Sequence, residues 1–167
     1  MEGKYDPRNK LNDLTGKEWL KLTKSFWMSE KCADDKAAFG HPAPFLIKDI
    51  EKLISFFTKK EMSVLDPFMG SGTTAIAAYN LGRLALGMDL SEEYRDLAVE
   101  RFKSKGMRET DYQYFIGDST KELTVFKRVD YIVTSPPYHN ILKNKSKGIR
   151  NDNSHKGYRN GARQGVE

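Results

Sequence analysis

The stretch from Ser63 to Asp89 limits this chain to very few folds. It opens with a short apolar run ending in an acid, Ser63–Asp66 (SVLD). It then turns through PFMGSG and continues into TTAIAAYNL, a helical segment closed by Gly82. A second apolar run that also ends in an acid, Leu84–Asp89 (LALGMD), follows at once. Strand, glycine turn, helix and strand form the repeating unit of a parallel sheet, because a parallel return requires a crossover. The alternation goes on. Ser91 stands where a helix cap belongs, and Glu92 and Glu93 suit the positive end of a helix running to about Phe102. Tyr112–Ile116 reads as a third strand, closing at Gly117 and Asp118. Val129–Thr134 reads as a fourth, running straight into Ser135-Pro136-Pro137-Tyr138. The expected fold class is α/β, a parallel sheet of about four strands with helices on both faces. Such sheets bind ligands at the carboxyl ends of their strands, where this chain gathers its acids and glycines.

Upstream, Leu46, Ile47, Ile50, Leu53, Ile54 and Phe57 recur at helical spacing and predict an amphipathic helix over 46–59. Two prolines, Pro42 and Pro44, give it an extended entry. Residues 16–27 bring Trp19, Leu20, Leu22, Phe26 and Trp27 together in a short helix or turn with an aromatic face, and the preceding residues are polar and expected to be loose. No apolar run approaches a membrane span, and no signal-peptide core is present, so a cytoplasmic protein without membrane contact is expected. The one cysteine, Cys32, cannot form an internal disulfide and has no Cys or His neighbour at ligand spacing, so no metal site is expected. The net charge is +5. From Lys143 onward there are seven basic residues against Asp152 and Glu167, so the tail carries all of that excess.

A glycine turn between strand and helix lets backbone approach a ligand closely and offers the N–H groups of a helix start. Three ligands compete for DPFMGSGTT. A phosphate-binding P-loop needs a lysine that does not follow Gly72. A dinucleotide turn needs a third glycine where Ala75 stands. S-adenosylmethionine lacks a pyrophosphate and asks instead for close packing, an acid for its ribose and an acceptor for its adenine amine. Asp89, 23 positions after Asp66, and Asp118 end the next two strands in register with that need.

Ser135-Pro136-Pro137-Tyr138 stands beside this turn. Its prolines stiffen the loop and remove two N–H donors, leaving carbonyls to accept. The amine of cytosine or adenine is a poor nucleophile because its lone pair is delocalised into the ring. Acceptors on its two hydrogens, such as the Ser135 hydroxyl and the Pro136 carbonyl, draw the nitrogen toward tetrahedral geometry. Tyr138 offers a flat face to a base flipped out of its stack. A plain proline turn with a core tyrosine is the alternative. Methylation at cytosine carbon-5 requires a cysteine nucleophile, and no Pro-Cys occurs.

HPAPF (residues 41–45), DPFMGSGTT and TSPPY together resemble the amino-methyltransferases of bacterial and archaeal restriction–modification systems, which make N4-methylcytosine or N6-methyladenine in DNA. The resemblance covers roughly residues 16–142 and implies a Rossmann-like S-adenosylmethionine-dependent methyltransferase fold. It implies a flexible N-terminus over 1–15, a cofactor-binding and catalytic domain over 16–142, and a basic polar tail over 143–167. His41, Pro42, Ala43, Pro44 and Phe45 would line the methionine side of the cofactor. Asp66, Pro67, Phe68, Gly70, Ser71, Gly72 and Thr73 would form its turn. Asp89 with Leu90 would hold the ribose, and Asp118 with Ser119 the adenine end. Ser135, Pro136, Pro137 and Tyr138 would be the catalytic segment, and serine in its first position is more typical of cytosine-N4 enzymes. The motif order is circularly permuted relative to many relatives, which changes connectivity and not the site.

The family's sheet has seven strands and a target-recognition region, and only four strands can be placed here. The expected product is therefore a fragment, a truncated gene product or one half of a split enzyme. A homodimer or a complementary methyltransferase subunit is the expected partner beside DNA itself. The alternatives are an RNA amine methyltransferase, or a cofactor-binding half-module that is inactive alone. The resemblance places Lys143–Arg163 near DNA, with Lys143, Lys145 and Lys147 pairing with phosphates; a solvated chain end is the competing reading. Neutralising those three lysines together is expected to weaken DNA binding without touching cofactor affinity. It should also flatten the salt dependence, by about 0.9 in logarithmic slope for each phosphate no longer neutralised. An unchanged slope in salt-titrated binding would return the tail to a solvated end.

Overall fold

The computed structural model describes residues 6, 8–41 and 44–136. Pro42, Ala43, Pro137, Tyr138 and the lysines 143, 145 and 147 lie outside these residues. Helix α1 (Gly16–Leu22) starts at a capping box. The Thr15 hydroxyl accepts the Glu18 N–H, and the Glu18 carboxylate accepts the Thr15 N–H at 2.8 Å. It ends before Phe26 and Trp27, so the aromatic face expected over 16–27 is only partly helical. A 3-10 turn covers Ala33–Gly40, and α2 covers Ile47–Phe57. Helix α2 is shorter than the expected 46–59 because Leu46 and Thr58 both take extended backbone angles.

Strand β1 (Ser63–Asp66), α3 (Thr73–Asn80), β2 (Leu84–Asp89), α4 (Glu92–Ser104) and β3 (Tyr112–Ile116) then alternate. A single helical turn α5 (Ser119–Glu122) and a 3-10 turn (Leu123–Val125) lead to β4 (Tyr131–Ile132). The fourth strand is shorter than the expected 129–134, although the Val133 N–H still bonds the Leu65 carbonyl at 3.1 Å. All pairings are parallel, and the strand order is β3-β2-β1-β4. The chain builds outward from β1 to β3, then returns to the other side of β1. The reversal leaves a crevice at the carboxyl ends of β1 and β4, the place where open α/β sheets take ligands.

One face of the sheet carries the main core. Ile47, Ile50 and Ile54 of α2, Ala75 to Ala78 of α3, and Ala98 and Phe102 of α4 close on Val64 and Ala85. The opposite face is thinner: Leu65, Leu86 and Met88 are covered by Phe126, Leu123 and Val129. Helical structure covers both faces as expected, but very unequally. The N-terminal stretch expected to be loose makes specific contacts from Asn9 on. Asn12 is fully buried and donates to the Phe56 carbonyl at 2.7 Å, and Asp13 accepts the Lys60 N–H at 2.7 Å. No helix among the described residues is long and apolar enough to cross a membrane.

Asp66 joins three of these elements. Its carboxylate ends β1, is 2% exposed, and accepts three hydrogen bonds. The Thr74 hydroxyl of α3 donates at 2.6 Å, the Thr134 hydroxyl after β4 at 2.7 Å, and the Phe68 N–H at 3.0 Å. Burial pushes its pKa above the ordinary carboxylate value; the three donors and the nearby Asp89 charge act in opposite directions on that shift. The folded protein therefore holds the Asp66 proton more tightly than the unfolded chain. The resulting stability is complete below the ordinary aspartate range and is lost as pH rises through the native value. Asp66→Asn keeps the shape without the charge, so the stability of wild type relative to this variant should fall as pH rises from about 4. The decline should be at most about 1.4 kcal/mol per pH unit. Urea unfolding from pH 4 upward checks this, and a difference independent of pH would contradict it.

Candidate functional site

The crevice at the sheet reversal is a small cleft open to solvent. Three separate pieces of sequence line it: His41, Pro44 and Phe45; Asp66 with Phe68, Met69, Gly70, Ser71, Thr73 and Thr74 of the turn; and Ser135. The fold thus brings His41, Pro44 and Phe45, the glycine turn and the first residue of SPPY onto one cavity.

The turn is shaped by its glycines. Gly72 caps α3 at φ +78°, where a Cβ would meet the Phe102 ring at 2.5 Å. Gly70, at φ +51°, faces His41, and a Cβ there would stand 3.0 Å from His41 Nε2. No other residue fits either place without displacing α4 or the cleft wall. His41 is itself held edge-on against Tyr94 of α4, with ring centres 4.5 Å apart.

The acids at the strand ends have different duties. The Asp89 side chain accepts the Gly70 N–H at 2.8 Å and the Ser91 N–H at 3.0 Å, so it braces the turn from the end of β2. It does not line the cleft directly, and Leu90 beside it is 73% exposed. Asp118 caps α5: its carboxylate accepts the Thr120 N–H at 2.9 Å and the Thr120 hydroxyl at 2.7 Å, and it pairs with Lys121 at 2.9 Å. These contacts, the Thr120 hydroxyl foremost, hold its pKa down to about 2. Asp118 and Ser119 do not reach the cleft lining, nor do Pro67 and Gly72, which are buried behind it. Pro136 is exposed next to Ser135.

Several contributors are residues to which the sequence assigned no role. Thr74 and Thr134 bind the two oxygens of Asp66, which ties the turn to the residue before Ser135. Met69 lines the cleft, and its N–H bonds the Met88 carbonyl at 2.9 Å. Tyr114 of β3 donates its hydroxyl to the Gly70 carbonyl at 2.7 Å. Burial, with the Asp89 and Asp66 charges adding to it, pushes the Tyr114 pKa well up, so the phenol stays protonated and remains a donor. The only signal of Tyr114 in sequence is alternation, since Tyr112, Tyr114 and Ile116 share the less exposed face of β3. Among the described residues no cluster of His, Cys, Asp and Glu could hold a metal ion.

This architecture is shared with known proteins. TrmN of Thermus thermophilus has 30% identity and a TM-score of 0.54, covering 66% of this chain and 33% of its own. The fold is the Rossmann-like fold of S-adenosylmethionine-dependent methyltransferases. The orphan methyltransferase M.BamHII of Bacillus amyloliquefaciens is 45% identical over 75 residues, which are 45% of this chain and 28% of that protein. The type II methyltransferase M2.DpnII of Streptococcus pneumoniae is 35% identical over 102 residues, 60% of this chain and 36% of that protein. The chain therefore spans little more than a third of these relatives at most. A family model described as DNA methylase, of the N6/N4 methyltransferase type, matches residues 1–100, more than half of the 167 residues, and the chain belongs to this family of DNA methylases.

Proposed function

We propose that this chain is the cofactor-binding and methyl-acceptor part of a DNA amino-methyltransferase, with cytosine-N4 favoured over adenine-N6. The observation that carries the reading is the single cleft on which His41, Phe45, the glycine turn and Ser135 meet. The donor set suits S-adenosylmethionine. Pro44, Phe45 and Phe68 give apolar and aromatic surface, and Gly70 leaves room beside His41 that a side chain would fill. When bound, S-adenosylmethionine supplies a methyl group on a positively charged sulfur. The protein's own task is to present the amine. The Thr134–Asp66 bond fixes the backbone entering Ser135, whose hydroxyl and the next carbonyl, that of Pro136, accept from the amine hydrogens. Those two acceptors make the nitrogen lone pair available for attack. Tyr138 serves as the stacking face in this reading.

A second chain, either an identical copy or a complementary methyltransferase subunit, belongs to the same reading. Among the described residues β4 is an edge strand, able to take a further strand from such a partner. An RNA amine is the second substrate reading. It is favoured by 32% identity over 106 residues to the tRNA (guanine(10)-N2)-dimethyltransferase of Pyrococcus abyssi, which are 62% of this chain and 31% of that enzyme.

Incubation with labelled S-adenosylmethionine and either duplex DNA or RNA, followed by nucleoside analysis, is expected to yield N4-methylcytosine from DNA. Label confined to RNA overturns the DNA reading. In calorimetry, Asp89→Ala should weaken S-adenosylmethionine binding about ten- to hundredfold, the loss of one hydrogen-bonded carboxylate. Unchanged affinity would remove Asp89 from the site. Ser135→Ala should leave that affinity intact and lower methyl transfer.

A further inference from the structure

Arg101 lies in α4 between Ala98 and Phe102, on the face turned toward the core, and is only 3% exposed. A guanidinium so placed has left water and needs strong acceptors. It finds them on the glycine turn. Nη1 donates to the Ser71 carbonyl, to the Thr73 hydroxyl at 3.1 Å and to the Ser71 hydroxyl at 3.3 Å. Nη2 reaches the Asp34 carbonyl at 3.4 Å, in the 3-10 turn that leads to His41. Lys105, the residue just after α4, pairs with the Asp34 carboxylate. Nε is buried without a partner. The fork is therefore set by the turn and the 33–40 segment at the cost of one of its own donors.

The peptide groups of the turn show what this fork adds. The Phe68 N–H is held by Asp66, the Met69 N–H by the Met88 carbonyl, and the Gly70 N–H by Asp89. The Gly70 carbonyl is held by Tyr114. The next peptide, between Ser71 and Gly72, has its N–H on the Met69 carbonyl at 3.0 Å and its carbonyl on Arg101. Arg101 thus fixes the last peptide before α3 begins, and the same side chain holds the segment that carries His41 on the opposite wall of the cleft.

We infer that Arg101 is a positioning residue that presets both walls of the cofactor cleft, the glycine turn and the segment leading to His41, before any ligand arrives. The inference rests on the cofactor reading of that cleft. Lysine cannot reproduce the role, because a single ammonium on a flexible stem cannot bridge the Ser71 carbonyl, Thr73 and Asp34 as a planar fork does.

The test is Arg101→Lys, read by amide hydrogen exchange on the free chain and by calorimetry with S-adenosylmethionine. The hydrogen-bonded amides of Gly70 and Gly72 should exchange about tenfold or more faster than in wild type, as expected for losing a hydrogen bond to a charged group. The Thr58 amide, which bonds Ile54 at the far end of α2, should be unchanged. Cofactor affinity should fall by a similar factor. Turn amides that exchange at the wild-type rate overturn the inference, as does uniform acceleration of all amides. A variant that fails to fold also overturns it, assigning Arg101 to the core. Failure of the wild-type chain to bind S-adenosylmethionine would instead strike the cofactor reading, and the exchange result on the free chain would still decide whether Arg101 presets the turn.

Discussion

Everything at this site hangs from a buried carboxylate. Asp66 sits where β1 ends, so its two oxygens face both the turn that leaves β1 and the strand that returns beside it. Thr74 and Phe68 anchor the turn to one side of it, and Thr134 anchors the Ser135 segment to the other. A carboxylate out of water is tolerated only when donors surround it, and here the donors are the elements that must be aligned. The requirement to satisfy one buried group is thus what holds the two halves of the cleft in register. Had β4 been added outside β3 instead of beside β1, Thr134 and Asp66 could not have met across adjacent strands.

The sheet reversal adds a second constraint. Because β4 returns to the open side of β1, the crevice stands between the first strand and the last described one, and residues some seventy positions apart become neighbours. His41, Pro44 and Phe45 reach the same place by another route. Asp35 is buried and accepts the N–H of Ile47 at 3.0 Å and that of Cys32 at 2.7 Å. It therefore ties the start of the 3-10 turn to the start of α2, on either side of His41, Pro44 and Phe45.

Strand and helix periodicity made the fold legible from sequence, as did the ligand turn, because an acid and two glycines between a strand and a helix have few other uses. The limits of legibility are physical. A side chain that bonds a distant backbone carbonyl leaves no local pattern, so Tyr114 reads as an ordinary strand tyrosine and Arg101 as a helix-surface charge until Ala98 and Phe102 place it on the buried face. Asp118 shows the converse. Beside the ligand role that its position at the end of β3 suggests, Thr120 and Lys121, two and three positions on, engage it locally as a helix cap. Strand β4 came out short because its ladder with β1 spans only two paired positions.

The bonding of the glycine turn has a consequence for what the cleft excludes. Loops that cradle phosphate do so by aiming several successive N–H groups at one oxyanion. Here the amides of Phe68, Met69, Gly70 and Gly72 point instead at acceptors of the protein itself. A nucleoside polyphosphate entering this crevice would find those donors already engaged and two carboxylates, Asp66 and Asp89, close behind them. With those four engaged, the turn does not present the uninterrupted run of N–H groups on which a polyphosphate rests.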